Sequence, residues 1–402
     1  MDKTDHMQGN SPAPENQRER SGERRPSRHK FKPHNRKPTR FAKSDNGQSH
    51  GNENQNKSEA DKLYAAIDLG TNNCRLLIVA PDKDGFRVVD SFSRIVRLGE
   101  GLDATGELSE TAIERALAAL RVCAGKIRKL DVARVRCVAT EACRNASNGR
   151  AFIERVEKET RLRFEIIGAR DEAELASVSC GSLFDRKRRN VIVLDIGGGS
   201  TEITYLRLER GRFEMKETKS FPIGVVRLSE RYNATQLTPE IYNQMRDDCA
   251  QEMKEFIAEQ DLQDLRQVQI IGTSGTVTTL IAIQLGLKYY DRNKVDGRTV
   301  SAIAVKDVMK RLVAMTHEQL VNQACIGPER ADLVLSGCAV LEAFMQFYPV
   351  PVIKVADRGL REGILLRLIR KDQRKRRFHN KKNRKRPYKN NLHRGGGNEQ
   401  RG

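Results

Sequence analysis

The sequence predicts an α/β fold of two duplicated lobes that face each other across a cleft. The segment IDLGTNNCRLLIV at 67–79 returns as LDIGGGSTEITYL at 194–206, which places Asp68 and Asp195 127 residues apart. The similarity continues downstream, where VRCVATEA at 135–142 matches VQIIGTSG at 268–275. A repeat of this length is too long for a solenoid and fits two copies of one domain.

The first lobe is predicted over 61–176. Apolar runs at 64–69, 75–80 and 86–92 predict a meander of three strands joined by tight turns. A helix follows with Ser109 as its N-cap, because apolar residues recur after it at helical spacing. The remaining predicted elements are a strand at 135–140, a helix at about 149–161, a strand at 163–168 and a helix from 171.

The second lobe, predicted over 177–350, repeats this plan. Thr238-Pro239 supplies an N-cap and a proline in the first turn of its long helix. Segment 351–370 is predicted to contain a closing helix, from Arg358 to about Arg370, that packs back across both lobes. Strands that come first as a meander and then alternate with helices indicate a mixed sheet flanked by helices.

The two ends of the chain have a different composition from the middle. Residues 1–60 hold 13 Lys and Arg against 8 Asp and Glu, and residues 371–402 hold 13 against 2, so the ends carry most of the net charge of +20. Chains so poor in aliphatic residues cannot bury enough apolar surface to offset the entropy of ordering. Both tails are therefore predicted to be disordered, and their charge suits contact with RNA or polyphosphate as well as simple solvation.

Several classes of function are disfavoured by composition. Of the seven histidines only His317 lies between the tails, which argues against a histidine base or a multi-histidine metal site. The eight cysteines include no Cys-x-x-Cys pair and are predicted to be reduced core residues. No apolar run suits a membrane span or a signal peptide, so a cytoplasmic protein without membrane contact is expected.

Three glycine-rich turns are predicted to bind phosphate, because glycine lets backbone N–H groups approach an anion closely. Two are equivalent turns between strands, one in each lobe, and the third leads from a strand into a helix N-terminus. A single turn of this kind is more often only structural, but two equivalent turns facing a cleft favour ligand binding. The predicted phosphate-binding residues in these turns are Gly70, Thr71, Asn72, Gly197, Gly198, Gly199, Ser200, Gly272, Ser274 and Gly275.

Carboxylates and one arginine complete the predicted site. Asp68 and Asp195 end apolar strands, where they either cap the glycine turns or bind a metal. Glu202 favours the metal, since carboxylates at one mouth suit an octahedral Mg²⁺ that keeps several waters. Arg144, after a buried strand, is either a phosphate ligand or a surface arginine. Glu172, at a helix start, either complements the helix dipole or serves as the base of a histidine-poor core.

At this point the chain resembles the exopolyphosphatase and guanosine pentaphosphate phosphohydrolase family, which has the ribonuclease-H-like fold of the actin-like ATPases. The motifs that carry the resemblance are IDLGTNN, ATEACR, EIIGARDEAEL, LDIGGGSTEI, FPIGVVRL, IIGTSGT and PERADLVLSG…DRGLREGIL, spread from about Tyr64 to Leu368. The resemblance implies that Glu172 is the catalytic glutamate, that Asp195 and Glu202 are associated with the metal, and that Arg144 grips phosphate.

The chain departs from the family pattern around the catalytic glutamate. It has Gly168-Ala169 where the family commonly has Ser-Gly, and Glu174 stands where a basic residue is usual. Nothing after residue 370 resembles the helical domain of the longer family members, so the chain matches the short form.

The resemblance implies a phosphohydrolase that uses Mg²⁺ or Mn²⁺ to release terminal orthophosphate from inorganic polyphosphate, guanosine pentaphosphate or both. Two other functions stay open, because fold alone does not decide function. One is an ATPase of the same fold, and the other is a catalytically weak sensor that binds polyphosphate, nucleotide or RNA. A homodimer is also left open.

Overall fold

The structure, a computed structural model, describes residues 62–83, 85–260, 262 and 264–384. Two mixed sheets organise this part of the chain. The first sheet has the strand order β3-β2-β1-β4-β5, with the bounds β1 Tyr64–Leu69, β2 Asn73–Asp82, β3 Gly85–Ile95, β4 Arg134–Ala139 and β5 Phe164–Ile166. Its helices are α1 Leu102–Thr105, α2 Glu110–Lys129, α3 Glu141–Asn145, α4 Gly149–Thr160 and α5 Ala169–Cys180.

The second sheet repeats this order as β8-β7-β6-β9-β11 and adds β10 outside β11. Its strands are β6 Asn190–Ile196, β7 Thr201–Glu209, β8 Arg212–Phe221, β9 Val268–Thr273, β10 Thr299–Ser301 and β11 Val352–Ala356. The helices that follow are α6 Val225–Arg231, α7 Pro239–Ala258, α8 Gly275–Gln284, α9 Arg292–Val295, α10 Ala302–Val313, α11 His317–Asn322, α12 Ala331–Phe347 and α13 Leu360–Arg384. We call the first sheet with α1–α5 the first lobe, and the second sheet with α6–α12 the second lobe.

The pairing of strands shows the duplication directly. In each lobe the first strand is antiparallel to the second and parallel to the fourth, as β1 is to β2 and β4, and β6 is to β7 and β9. The long helix of each lobe begins with the predicted cap, because Ser109 Oγ accepts from the N–H of Ala112 and Thr238 Oγ1 from that of Ile241. The predicted α/β fold of two duplicated lobes is therefore confirmed.

Each sheet is buried on both faces. In the first lobe α2 and α4 cover one face through a core that includes Leu117, Leu120 and Phe152. The other face of the first sheet packs against α13 through Ile364 and Leu365. Burial of these apolar faces, at roughly 25 cal/mol per Å², supplies the main stabilisation of the lobes.

The closing segment differs from its predicted form. Part of it is strand β11 of the second sheet, and α13 begins at Leu360 and continues through Arg384, about four turns beyond the predicted end at Arg370. Arginine, lysine and glutamine are good helix formers, so a helix already nucleated on the core extends into the charged sequence.

Some predictions fall partly or wholly outside the described residues. The tail 1–60 and residues 385–402 are not described, so their predicted disorder stays a prediction. The division of the lobes between residues 176 and 177 also stays a prediction, and α5 runs across it to Cys180. Within the described part of the chain, no helix is both long and apolar enough to cross a membrane.

Candidate active site

The first glycine turn connects β1 to β2 and is closed by a bond from the N–H of Gly70 to the carbonyl of Asn73, at 2.9 Å. The segment after β3 holds the carbonyl side of this turn. The N–H of Val96 donates to the Asn72 carbonyl, and that of Gly99 donates to the Thr71 carbonyl, both at 2.9 Å. Because these carbonyl groups are occupied, the turn can offer its N–H groups to an anion.

The second turn, between β6 and β7, is built in the same way. The N–H of Gly197 donates to the carbonyl of Ser200 at 2.8 Å, which closes the turn. The N–H groups of Val225 and Val226, at the start of α6, donate to the carbonyls of Gly197 and Gly198. The two turns are thus equivalent in hydrogen bonding as well as in sequence.

The two turns touch each other, whereas the sequence predicts only that they face each other across a cleft. A Cβ atom added at Gly198 would lie 3.0 Å from Thr71 Cβ, and one added at Gly199 would lie 1.8 Å from Glu141 Oε2. Only glycine allows this approach. The lobes therefore meet at the turns, and the cleft opens beside this contact.

Buried Glu141 links the lobes at the same point. Its carboxylate accepts from Thr71 Oγ1 at 2.8 Å, from Asn145 Nδ2 at 2.8 Å and from Arg227 Nη2 of the second lobe at 3.1 Å. Arg227 also contacts Asp103 at 2.6 Å. Sequence reasoning missed both Glu141 and Arg227 as site residues, although each lies in a motif that the repeat comparison or the family resemblance uses.

A cavity of about 390 Å³ lies between the lobes. Its lining includes most of the predicted site residues, namely Asp68, Gly70, Thr71, Asn72, Glu172, Asp195, Gly197, Gly198, Gly199, Ser200, Ser274 and Gly275. Three predicted residues, Arg144, Glu202 and Gly272, are not among the residues that line it. Gly272 instead allows α8 to pack closely, because a Cβ there would lie 2.9 Å from Val277 Cγ1.

The carboxylates predicted to bind metal raise one another's pKa. Burial, followed by the charges of Glu202 and Asp68, raises the pKa of Asp195 to about 7. Burial also raises the pKa of Asp68, which Arg75 and Arg361 partly offset. Glu202 is buried and accepts from the hydroxyls of Ser200 and Ser220, both at 2.6 Å, which limits the rise of its pKa.

Glu172 lies in the first turn of α5 with one oxygen aimed into the polar cluster. Its Oε2 is buried and has no hydrogen-bond partner within the described residues, and Arg144 Nη1 lies 3.6 Å from it. Arg144 is held in place by a 2.7 Å bond from the same nitrogen to the carbonyl of Ile167. Burial and the charges of Glu202, Asp68 and Asp195 raise the pKa of Glu172 well above its usual range, against the pull of Arg144.

These side chains fit a divalent cation that keeps most of its water. Within the described residues, no group of three or more His, Cys, Asp or Glu side chains could hold a metal by itself. Carboxylates that raise one another's pKa, beside an acceptor without a partner, nevertheless lack positive charge. Mg²⁺ or Mn²⁺ binding through one or two carboxylates, water and substrate phosphate would supply it.

The third glycine-rich turn carries backbone strain. Ser274 is the N-cap of α8 and has φ 100 and ψ 171, a conformation that residues other than glycine rarely adopt. Its Oγ is buried without a hydrogen-bond partner in the described part of the chain. The strained hydroxyl and the α8 N-terminus both face the cavity, where an anion would satisfy them.

Comparison with known proteins gives a consistent result. The Ppx/GppA phosphatase family matches residues 77–372. The crystal structure of the Aquifex aeolicus member of the Ppx/GppA protein family superposes with a TM-score of 0.64 at 29% identity, and covers 77% of this chain and 98% of that one.

Three relatives differ in how much of their own length is matched. Exopolyphosphatase 2 of Mycobacterium tuberculosis is 30% identical over 76% of this chain and 98% of its own. The bifunctional 3-dehydroquinate synthase/phosphatase of Fusobacterium nucleatum is also 30% identical over 76% of this chain, which spans only 46% of that protein. The guanosine-5'-triphosphate,3'-diphosphate pyrophosphatase of Aeromonas hydrophila is 29% identical, with 76% of this chain and 59% of its own length covered.

Proposed function

The chain belongs to the Ppx/GppA phosphatase family, and from this premise we propose that it hydrolyses the terminal phosphoanhydride bond of inorganic polyphosphate, guanosine pentaphosphate or both. The names of the Mycobacterium and Aeromonas relatives support these two substrates. The observation that carries the proposal is the buried Oε2 of Glu172, which lacks a hydrogen-bond partner within the described residues and lies near Arg144.

The proposed reaction uses this chain's residues for positioning and for one proton transfer. The N–H groups of the two glycine turns hold the terminal phosphates, and Arg144 donates to the transferred group. Glu172 orients a water and accepts its proton as the water oxygen attacks the terminal phosphorus. The bridging P–O bond breaks, its electron pair stays with the shortened chain, and orthophosphate is released.

Mg²⁺ or Mn²⁺ would be held by Asp195 and Asp68, with Glu202 behind them. When bound, the cation would neutralise phosphate oxygens and favour the ionised form of the neighbouring carboxylates. The Ser200 and Ser220 hydroxyls orient Glu202 for this role.

Phosphate release is the direct test, with Mg²⁺ or Mn²⁺ present and with polyphosphate, guanosine pentaphosphate and ATP as parallel substrates. Glu172→Gln should lower kcat by about 10²–10⁴-fold, the usual contribution of a general base, with substrate affinity retained. Glu174→Gln is the matched control, since it is the same change two residues along α5. Equal loss of affinity and kcat in Glu172→Gln would mean a structural role, and release from ATP alone would favour an ATPase.

A polyanion-binding function has one observation in its favour. The described side chains of α13 beyond the core include exposed Arg370, Lys371, Arg374 and Lys375. Cations presented along a helix bind RNA or polyphosphate in a salt-dependent way. Changing these four residues to Gln in the full chain should reduce salt-sensitive RNA retention and leave orthophosphate release unchanged. Unchanged RNA retention would exclude this part of α13 as the binding segment.

A further inference from the structure

Two arginines outside the glycine turns share the floor of the cleft. Arg75 lies on β2 directly opposite Asp68 of β1, and Arg361 is the second residue of α13. Both line the cavity between the lobes. Their positions in the chain are 286 residues apart, and only the packing of α13 on the first sheet brings them together.

Neither arginine is neutralised by a close ion pair. Within the described residues, Arg75 forms no ion pair of 4.0 Å or less, and Arg361 forms one, at 4.0 Å, to Glu362. Glu362 is already bound by Arg292 Nη2 and by the N–H of Gly359, both at 3.0 Å. One nitrogen of Arg361 donates weakly to the Leu76 carbonyl, at 3.4 Å, so most of its donors are left for another acceptor.

The neighbouring arginine on the same wall shows what neutralisation would look like. Arg358 also lines the cavity, and it is paired with Asp296 through Nη2 at 2.9 Å and Nε at 2.9 Å. No such bidentate carboxylate is present at Arg75 or Arg361 in the described part of the chain. Asp68 faces both arginines, but one carboxylate cannot neutralise two guanidinium groups.

Two cations of equal sign in a half-buried cavity are unfavourable unless an anion joins them. The charge of Arg75 is close enough to Arg361 to add to the effect of burial, and both lower the pKa of Arg361. The rigid fork of a guanidinium matches two oxygens of a phosphate group. Ser93, opposite Arg75 on β3, lines the same cavity and adds a hydroxyl donor.

We propose that Arg75 and Arg361 form a second phosphate subsite on the floor of the cleft, separate from the glycine turns. Its ligand is a phosphate group, supplied either by the substrate chain or by the orthophosphate product. The identity of that source rests on the proposed phosphohydrolase function, whereas the existence of the subsite does not require turnover.

Binding of inorganic phosphate to the full-length protein, measured by titration calorimetry without metal or substrate, tests the subsite. Arg75→Gln and Arg361→Gln together should remove one phosphate site or weaken its Kd at least tenfold. The matched control is Arg94→Gln, at an exposed position next to Ser93 on β3. Arg361→Lys keeps the charge but loses the fork, so it should fold as the wild type does and still bind phosphate more weakly.

Steady-state kinetics then identify the source of the phosphate. If the subsite holds the substrate chain, the double variant should raise KM for polyphosphate more than the inhibition constant of orthophosphate. If it holds the product, the inhibition constant should rise and KM should not change. An unchanged number of phosphate sites with unchanged Kd would overturn the subsite, and so would equal weakening by Arg94→Gln. A protein that binds phosphate at two sites but releases none would refute the proposed function alone.

Discussion

Gly199→Ala should damage the contact between the lobes, because the new Cβ would lie 1.8 Å from Glu141 Oε2 and 2.4 Å from Glu141 Cδ. Glu141 has little room to move, since its buried carboxylate is held by Thr71, Asn145 and Arg227. Displacing it breaks a buried hydrogen-bonded ion pair, which typically costs about 3–5 kcal/mol. We expect a loss of about 3 kcal/mol in the free energy of unfolding, and a fall of about 10²-fold in kcat/KM as the turns separate.

Chemical denaturation and orthophosphate release measure the two effects. Gly125→Ala is the control glycine substitution, because its Cβ would meet nothing within 4 Å in α2 and should stabilise the helix by roughly 0.5–1 kcal/mol. The decisive measurement is Gly199→Ala made in a Glu141→Ala background, where the clashing carboxylate is gone. There the second substitution should cost less than about 1 kcal/mol. A full loss in that background, or a stable and active single variant, would refute the steric argument.

Three further predictions concern the same cleft. Arg144→Gln should raise KM for short polyphosphate chains by about tenfold, as expected for a lost charged hydrogen bond, and an unchanged KM would remove its role in binding. Asp195 has a pKa raised from 3.8 to about 7, so the folded protein holds this proton more tightly than the unfolded chain. The metal-free protein should therefore lose stability as the pH rises from 4 to 7, by up to about 1.4 kcal/mol per pH unit, and Asp195→Asn should flatten that slope in denaturation at a series of pH values. Ser274→Gly should relieve backbone strain and raise Tm by a few degrees, for a gain of about 1 kcal/mol, while phosphate affinity falls if the hydroxyl is a ligand; an unchanged Tm would mean that the strain is absorbed elsewhere.

The features that local sequence determines were predictable. The glycine turns, the capped helices and the strand order follow from the internal repeat, because each copy constrains the interpretation of the other. Glu172 was identified by the family resemblance, and the structure brings it close to Arg144.

Contacts between distant segments were not predictable. Glu141 becomes significant only when Arg227, 86 residues away, packs against it, and no periodicity records that pairing. Arg75 looks like an ordinary strand residue until α13 brings Arg361 beside it. Gly272 was assigned to phosphate because it belongs to a glycine-rich motif, but the packing of Val277 accounts for its missing side chain.

The contact between the turns has a consequence for how the two halves of the chain could have diverged. Thr71 and Asn72 carry side chains at the contact, and Gly198 and Gly199 leave the space that those side chains and Glu141 fill. Two copies of the first turn would collide, and two copies of the second would leave a void. A protein assembled from two identical halves could therefore not close in this way, so the complementarity belongs to a covalently joined pair whose members have each specialised and can no longer replace one another.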